Sequence, residues 1–438
     1  MSLADWIVLV LTLLGIVAYG LYKSRTSRNL DGYFLSNRSL PWGLVLLSIM
    51  GTQASAITFL SAPGQAYTDG MRFVQYYFGI PLAMVVISVF FVPIFHRLKV
   101  YTAYEYLEQR FDGKTRTLTS LLFFLQRGLS TGISVFAPSI ILSSLLGWDI
   151  IWTNLFMGGL LIIYTMSGGA KAVAYTQQIQ LFIVFTGMFL AAYMVVKMLP
   201  ADVGFADALE VGGKLGKLNI ITTGITANGF NWSDQYNLLS GIIGGFFLAL
   251  SYFGTDQSQV GRYLTAKSLT ESRMGLLMNG IVKVPMQFLI LLIGVLVFTF
   301  YQFNNAPIFF NEVQLKKLEA SPYKDSLKMV QGQYAAVAAE KQKAVLAYTQ
   351  ARHADESHQA DISLASLQSL QQESDSLRKK VVFWLNKKVP GGDGNDTNYI
   401  FLRFVVDHLP VGLVGLLIAI IFLASWGSIA AAINSLAS

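Results

Sequence analysis

The chain has 438 residues, of which 53% are hydrophobic and 13% charged, about half the charged share of an ordinary soluble domain. With a mean hydropathy of +0.50, so much apolar surface cannot be buried behind a wettable exterior, so lipid is the solvent and an all-α polytopic membrane protein is expected. The net charge of +7 does not point to nucleic acid, because the basic residues cluster in short loops between apolar runs, and the absence of cysteine excludes disulfides, Cys-ligated metals and thiol nucleophiles.

A spanning helix needs about 20 apolar residues. Nine stretches qualify: 6–22, 42–67, 73–95, 117–146, 149–167, 172–198, 237–258, 275–302 and 409–438. The first has no basic leader and reads as a span, not a cleaved signal. Lys23, Arg25, Arg28 and Arg38 follow span one; Arg97, Lys99, Arg110, Lys114 and Arg116 follow span three. Lys171 follows span five, and Arg262, Lys267 and Arg273 follow span seven. These alternate loops share one side, which the positive-inside rule makes the cytoplasm, with the N-terminus extracytoplasmic.

Three regions follow: a core of eight spans over 1–304, a polar insert over 305–405, and a ninth span over 406–438. In the insert, Leu327, Val330, Tyr334 and Val337, then Leu364, Leu367, Leu370 and Leu377, recur at helical spacing. They predict an extracytoplasmic amphipathic hairpin, a surface that a protein partner could use. Asn231-Trp232-Ser233 and Asn395-Asp396-Thr397 form glycosylation sequons on that side, a pattern common by chance. The chain stops at Ser438, inside or at the end of span nine, as a fragment of a longer protein would.

Span two carries Gly51, Thr52, Gln53, Ala54, Ser55, Ala56 and Thr58 at bilayer depth, and span nine carries Ala424, Ser425, Gly427, Ser428, Asn434 and Ser435. Small residues serve close helix packing. They also suit broken helices that line a cavity and offer carbonyls to an ion. Arg127 lies in the inner half of span four, where a charge costs ~2.5–3.5 kcal/mol, and faces an interior partner or snorkels to the interface. Asp256 falls where span seven loses its hydrophobicity and is either a functional acid or a helix-end residue. The histidines His96, His353, His358 and His408 show no metal spacing, and no phosphate-binding loop of the Walker type argues for ATP-driven work. No enzyme active-site constellation appears.

Several motifs resemble the sodium/solute symporter family. They are Asp31-Gly32-Tyr33-Phe34-Leu35 with Asn37-Arg38-Ser39-Leu40-Pro41-Trp42, and Tyr101-Thr102-Ala103-Tyr104-Glu105-Tyr106-Leu107-Glu108 with Arg110-Phe111. Gly168-Gly169-Ala170-Lys171-Ala172-Val173, Asp256-Gln257-Ser258-Gln259-Val260 with Arg262-Tyr263, and the run from Leu409-Pro410-Val411-Gly412 to Asn434-Ser435 continue the series in the family's order. The resemblance implies a LeuT-type core of two inverted five-helix repeats behind one extra N-terminal helix, with the second repeat incomplete here. It implies alternating access driven by Na⁺, in which sodium and a sugar, sialic acid or monocarboxylate-like solute cross together.

Carried onto this chain, the resemblance places sodium on the carbonyls of Gly51 and Ala54, the carbonyl of Ala424 and the hydroxyl of Ser428. Gly427 stands where the family offers a further hydroxyl, which Ser425 or water would have to replace. Gln177 stands where some members carry an Asp for a second sodium, so one sodium per cycle is expected. The solute is expected near Gln53, Thr58, Tyr77, Ser130, Asp256 and Gln257, with Arg127 serving an anionic solute from one turn beyond Ser130. The family's transport domain also occurs fused to signalling modules, so a sensor is the alternative; a channel would share the same helices.

Overall fold

The computed structural model describes residues 1–24, 30–146, 148–166, 169–227 and 229–438. Arg25, Arg28 and Gly168 lie outside the described residues. Helix α1, Leu3–Ser24, is followed by α2, Trp42–Gln53, and α3, Ala56–Asp69. The last two are one expected span, bent by 65°. Helix α4 covers Met71–Leu98, α5 Ala103–Arg110, α6 Gly113–Leu146, α7 Ile150–Met166 and α8 Gly169–Lys197. Then come α9, Phe205–Lys214, and a short antiparallel pair of strands, Ile225–Thr226 with Gly229–Phe230. Helices α10, Ser240–Thr255, and α11, Gln257–Tyr263, meet at a second break. The remainder is α12, Leu269–Phe303, the pair α13, Lys324–His353, and α14, Ser357–Lys388, then α15, Thr397–His408, and α16, Leu413–Ala437.

Six of these helices are long and apolar enough to cross a membrane, and the bent pair α2–α3 makes a seventh. The fifth and seventh expected spans retain only the shorter apolar helices Ile150–Ile162 and Ser240–Thr255. Leu121, Leu125, Leu129 and Ile133 of α6 project outward, a liability in water and a fit to lipid. In contrast, α16 is buried along nearly all its length, and α2, α3, α8 and α12 surround it or pack on one another. This is an integral, multi-pass membrane protein.

The expected sidedness can be checked by which loops touch. Arg38, after α1, donates to the carbonyls of Lys99 (3.0 Å) and Val100 (3.1 Å), after α4. Leu40 exchanges backbone hydrogen bonds with Thr265 (3.1 Å) and Lys267 (3.0 Å), after α11. Gly169 approaches the Tyr33 carbonyl. The basic loops therefore share one face. On the other, Lys217 donates to the Thr68 carbonyl at 2.6 Å and Asp5 of α1 accepts the Gly412 N–H at 2.6 Å.

The 305–400 region folds as a helical pair against that second face. Leu327, Val330, Val337, Leu377, Val381 and Leu385 form a small core of their own, and Val345, Tyr348 and Leu367 join the main one. Polar ties fasten the pair. Tyr348 and Arg352 both donate to Glu210 at 2.7 Å, and Arg378 pairs with Asp396, which also accepts the Phe310 N–H at 2.7 Å. The Tyr348 hydroxyl, ahead of Arg352, holds the Glu210 carboxyl below its ordinary 4.5. A depressed folded value means that this tie is complete above 4.5 and is lost as the pH falls through the lower value. Cleavage of the pair by pepsin should therefore accelerate as the pH drops below 4.5. Glu210→Gln should be cut fast at the upper end already, with a shallower pH dependence; identical profiles would rule the tie out.

Candidate functional site

The α2–α3 break is a matter of backbone accounting. Ala54 turns extended (φ −73°, ψ 121°) and its N–H still reaches the Met50 carbonyl at 2.8 Å. Ser55, which would have met the Gly51 carbonyl in a continuous helix, instead donates its N–H to the Thr58 hydroxyl at 3.3 Å. The helix that should continue to satisfy the carbonyls from Gly51 onward therefore turns away, inside the span. Thr58 closes the break and does not line the cavity below.

The broken end of α2 lies against the middle of α16. A Cβ placed on Gly427 would stand 3.5 Å from the Gly51 carbonyl oxygen and 2.7 Å from Gln180 Oε1. One placed on Gly51 would meet the Gln177 side chain at 2.8 Å. Both positions are glycine because glutamines of α8 fill the space between the two helices. Gln177 joins all three helices: it accepts from Ser48 Oγ (2.8 Å) and donates to Thr52 Oγ1 (3.2 Å) and the Gly427 carbonyl (3.1 Å). Nearby, Ser425 Oγ and Gln180 Nε2 are buried without a partner among the described residues, and Ser428 Oγ donates to the Ser425 carbonyl at 3.0 Å. Gly51, Ala54, Ala424, Gly427 and Ser428 thus belong to two segments in contact. Among the described residues no group of His, Asp or Glu could hold a metal, so oxygen donors here are carbonyls, hydroxyls and carboxamides.

A cavity of about 620 Å³ lies beside this crossing, lined by Gln53, Tyr77, Tyr104, Gln126, Tyr252 and Asp256 among others. Asp256 sits at the second break, between α10 and α11. One carboxylate oxygen caps α11, accepting from Ser258 N (2.8 Å) and Oγ (2.6 Å), and the other takes the Arg127 guanidinium. Arg127 also lies 5.6 Å from the Tyr252 ring centroid, and its Nε is buried without a partner. Asp256 therefore ends α10, caps α11 and pairs with the half-buried Arg127.

Besides Thr58, and Arg127, which stands behind Asp256 and off the cavity wall, two more expected solute residues lie elsewhere. Gln257 is buried and its carboxamide is committed, accepting from Ala103 N (3.0 Å) and donating to the Tyr101 carbonyl (2.9 Å). It anchors α11 to the loop before α5. Ser130 is exposed one turn beyond Gln126, where α6 has passed the cavity.

A row that the sequence reading missed runs along α12. Asn279, Lys283 and Gln287 are spaced i, i+4, i+8 and all are buried within an apolar helix. Lys283 Nζ stands 5.7 Å from the centroid of Tyr77, which lines the cavity, and no carboxylate pairs with it among the described residues. Asn279 Oδ1 and both ends of the Gln287 carboxamide are also without partners. The four-residue spacing within a hydrophobic run was the available signal.

Two helices broken within a membrane bundle, with polar side chains converging between them, are a feature of secondary-transporter folds. The family model described as the Sodium:solute symporter family matches residues 33–316, and the chain belongs to that family. The sodium/glucose cotransporter of Vibrio parahaemolyticus is 28% identical over 307 residues, 67% of this chain and 55% of the relative. The sodium/sialic acid symporter SiaT of Proteus mirabilis (strain HI4320) is 28% identical over 296 residues, 67% of this chain and 58% of its own. The human sodium/iodide cotransporter is 29% identical over 303 residues, 68% of this chain and 45% of its own. The chain thus spans about half the length of the curated relatives it matches. A solved structure of a Na⁺-coupled sialic acid symporter, substrate-bound and outward-open, superposes with a TM-score of 0.72 at 24% identity, covering 99% of this chain and 73% of that one. The fold is the LeuT-type one.

Replacing Gln177 by Leu removes three hydrogen bonds, each worth ~0.6 kcal/mol between membrane helices, so a loss of about 2 kcal/mol is expected. Unfolding of the purified protein in mixed detergent micelles would show it; an unchanged midpoint would deny Gln177 its place at the crossing.

Proposed function

We propose that this chain is the core of a sodium-driven symporter for a small organic solute, working by alternating access. The contact of the unwound end of α2 with α16 at Gly427 carries the reading. Sodium is held by the carbonyls of Gly51, Ala54 and Ala424 and by the Ser428 hydroxyl. Where Gly427 lacks a hydroxyl, Gln180 Oε1, 2.7 Å from where its Cβ would stand, and the buried Ser425 Oγ are oxygens at hand. Gln177 directs an amide N–H at the Gly427 carbonyl and at Thr52, filling with a neutral donor the place where a second cation would need an acid, so one sodium crosses per cycle. The face that gathers the basic loops is cytoplasmic and the helical pair α13–α14 is extracytoplasmic.

The solute occupies the cavity lined by Gln53, Tyr77 and Asp256, with Lys283 beside Tyr77 as a further donor. A buried lysine with no carboxylate partner and a row of unpartnered amides suit a solute rich in hydroxyl or carboxylate oxygens: a sugar, a sialic acid or a monocarboxylate. Arg127 reaches such a solute by exchanging its Asp256 partner for it.

Proteoliposomes offered radiolabelled sugars, sialic acid, amino acids and monocarboxylates should accumulate at least one of them under an inward Na⁺ gradient and none with choline in place of Na⁺. Ser428→Ala should raise the Na⁺ concentration for half-maximal uptake about tenfold, the effect of losing ~1.4 kcal/mol from an ion site. Accumulation that persists in choline would sink the reading. Arg127→Gln should weaken uptake of carboxylates selectively, and equal losses for neutral solutes would remove Arg127 from solute binding.

A further inference from the structure

Away from the broken helices, a second cavity of about 260 Å³ lies between the helical pair and the ends of α3 and α12. Its walls bring together Lys217, which follows α9, Lys341 of α13, Arg378 of α14, Gln302 of α12 and Thr68 of α3. The charges do not balance. Arg378 is answered by Asp396, but neither lysine has a carboxylate within 4.0 Å among the described residues. The one acid on the wall, Asp375, accepts from Gln371 Nε2 at 2.8 Å.

Lys341 is 5% exposed, and its ammonium spends one donor on Gln371 Oε1 at 2.8 Å. Lys217 spends one on the Thr68 carbonyl at 2.6 Å and rests 4.7 Å from the Phe298 ring centroid. Each ammonium carries three N–H groups, so both keep donors to spare. Burial draws both amines below their ordinary 10.5, Lys341 to about 8, and the charge of nearby Asp375 offsets this only in part. An anion in the cavity would reverse that cost. Buried charge without a partner is unfavourable and is normally paired. Gln302 adds the complementary feature: its Oε1 is buried and unpartnered, an acceptor for a hydroxyl. The volume falls below the roughly 300–1,000 Å³ of drug-sized pockets, which limits the guest to a few heavy atoms.

We propose that this cavity binds a small organic carboxylate, preferably hydroxylated, between Lys217 and Lys341, independently of the site at the broken helices. Because α3 and the helical pair both contribute walls, the bound anion bridges the far half of the broken helix to the insert. The carboxylate is gripped by ammonium N–H groups from both sides and its hydroxyl donates to Gln302.

The test is thermal unfolding of the purified full chain in sodium lactate against sodium chloride at equal Na⁺, with methyl lactate as the neutral isostere. Lactate should raise Tm by about 2 °C or more and methyl lactate should not. The shift should vanish in Lys341→Gln and in Lys217→Gln and survive in Lys283→Gln, whose side chain lies by Tyr77 of the membrane cavity and is no part of this cavity's wall. If Lys341→Gln fails to fold, Lys217→Gln, at the less buried amine, carries the comparison. A lactate shift that persists in the lysine variants, that disappears only in Lys283→Gln, or that is absent from the unmodified chain overturns the proposal. A larger Lys217-dependent shift with sodium phosphate than with lactate overturns the carboxylate assignment.

Discussion

Everything in this molecule depends on what happens to backbone polar groups that leave a helix inside lipid. There is no water at that depth to take an orphaned carbonyl or N–H, so a break survives only if other parts of the protein answer it. At residues 54–55 the N–H side is closed locally by Thr58, and the carbonyl side is presented to α16 and the α8 glutamines. At residue 256 the N–H side is closed by the Asp256 carboxylate through Ser258. The two breaks are thus built differently: one leaves carbonyl oxygens facing a neutral, hydroxyl-lined crossing, the other places an acid between a helix start and Arg127. The sodium proposed for this chain sits at the first, and the proposed solute at the junction of the two.

Gln177 and Gln180 show how a single helix can set the character of that crossing. They stand three residues apart on α8, so they face the same neighbours. One is fully satisfied and rivets three helices; the other sets its Oε1 at the position where a side chain on Gly427 would have pointed.

Much of this was legible in the sequence. Hydropathy located seven of the nine expected spans to within about six residues, because a run of apolar residues at that length has no other solvent. The basic loops grouped as the charge pattern required, and the small polar residues of spans two and nine meet. What stayed hidden was pairing. Nothing in the residues around Gln257 says that its amide serves the backbone of Tyr101 and Ala103, since that contact crosses more than a hundred residues of chain. Ser130 sits on a plausible helix face, yet the cavity ends one turn earlier. Asn279, Lys283 and Gln287 were readable as a stripe, but the strength of the hydrophobic run around them drew attention to its length instead. The apolar runs 149–167 and 237–258 were expected to be full spans but hold shorter apolar helices, the second ended by Asp256.

The most direct measurement of the central claim is equilibrium binding of ²²Na⁺ to the purified chain, comparing it with Ser428→Ala and with Gly427→Val, whose side chain would intrude on the Gly51 carbonyl and Gln180. The account predicts saturable binding of one ion per chain, weakened in the first variant and abolished in the second. Binding that is unchanged in both, or that saturates at two ions, would contradict it.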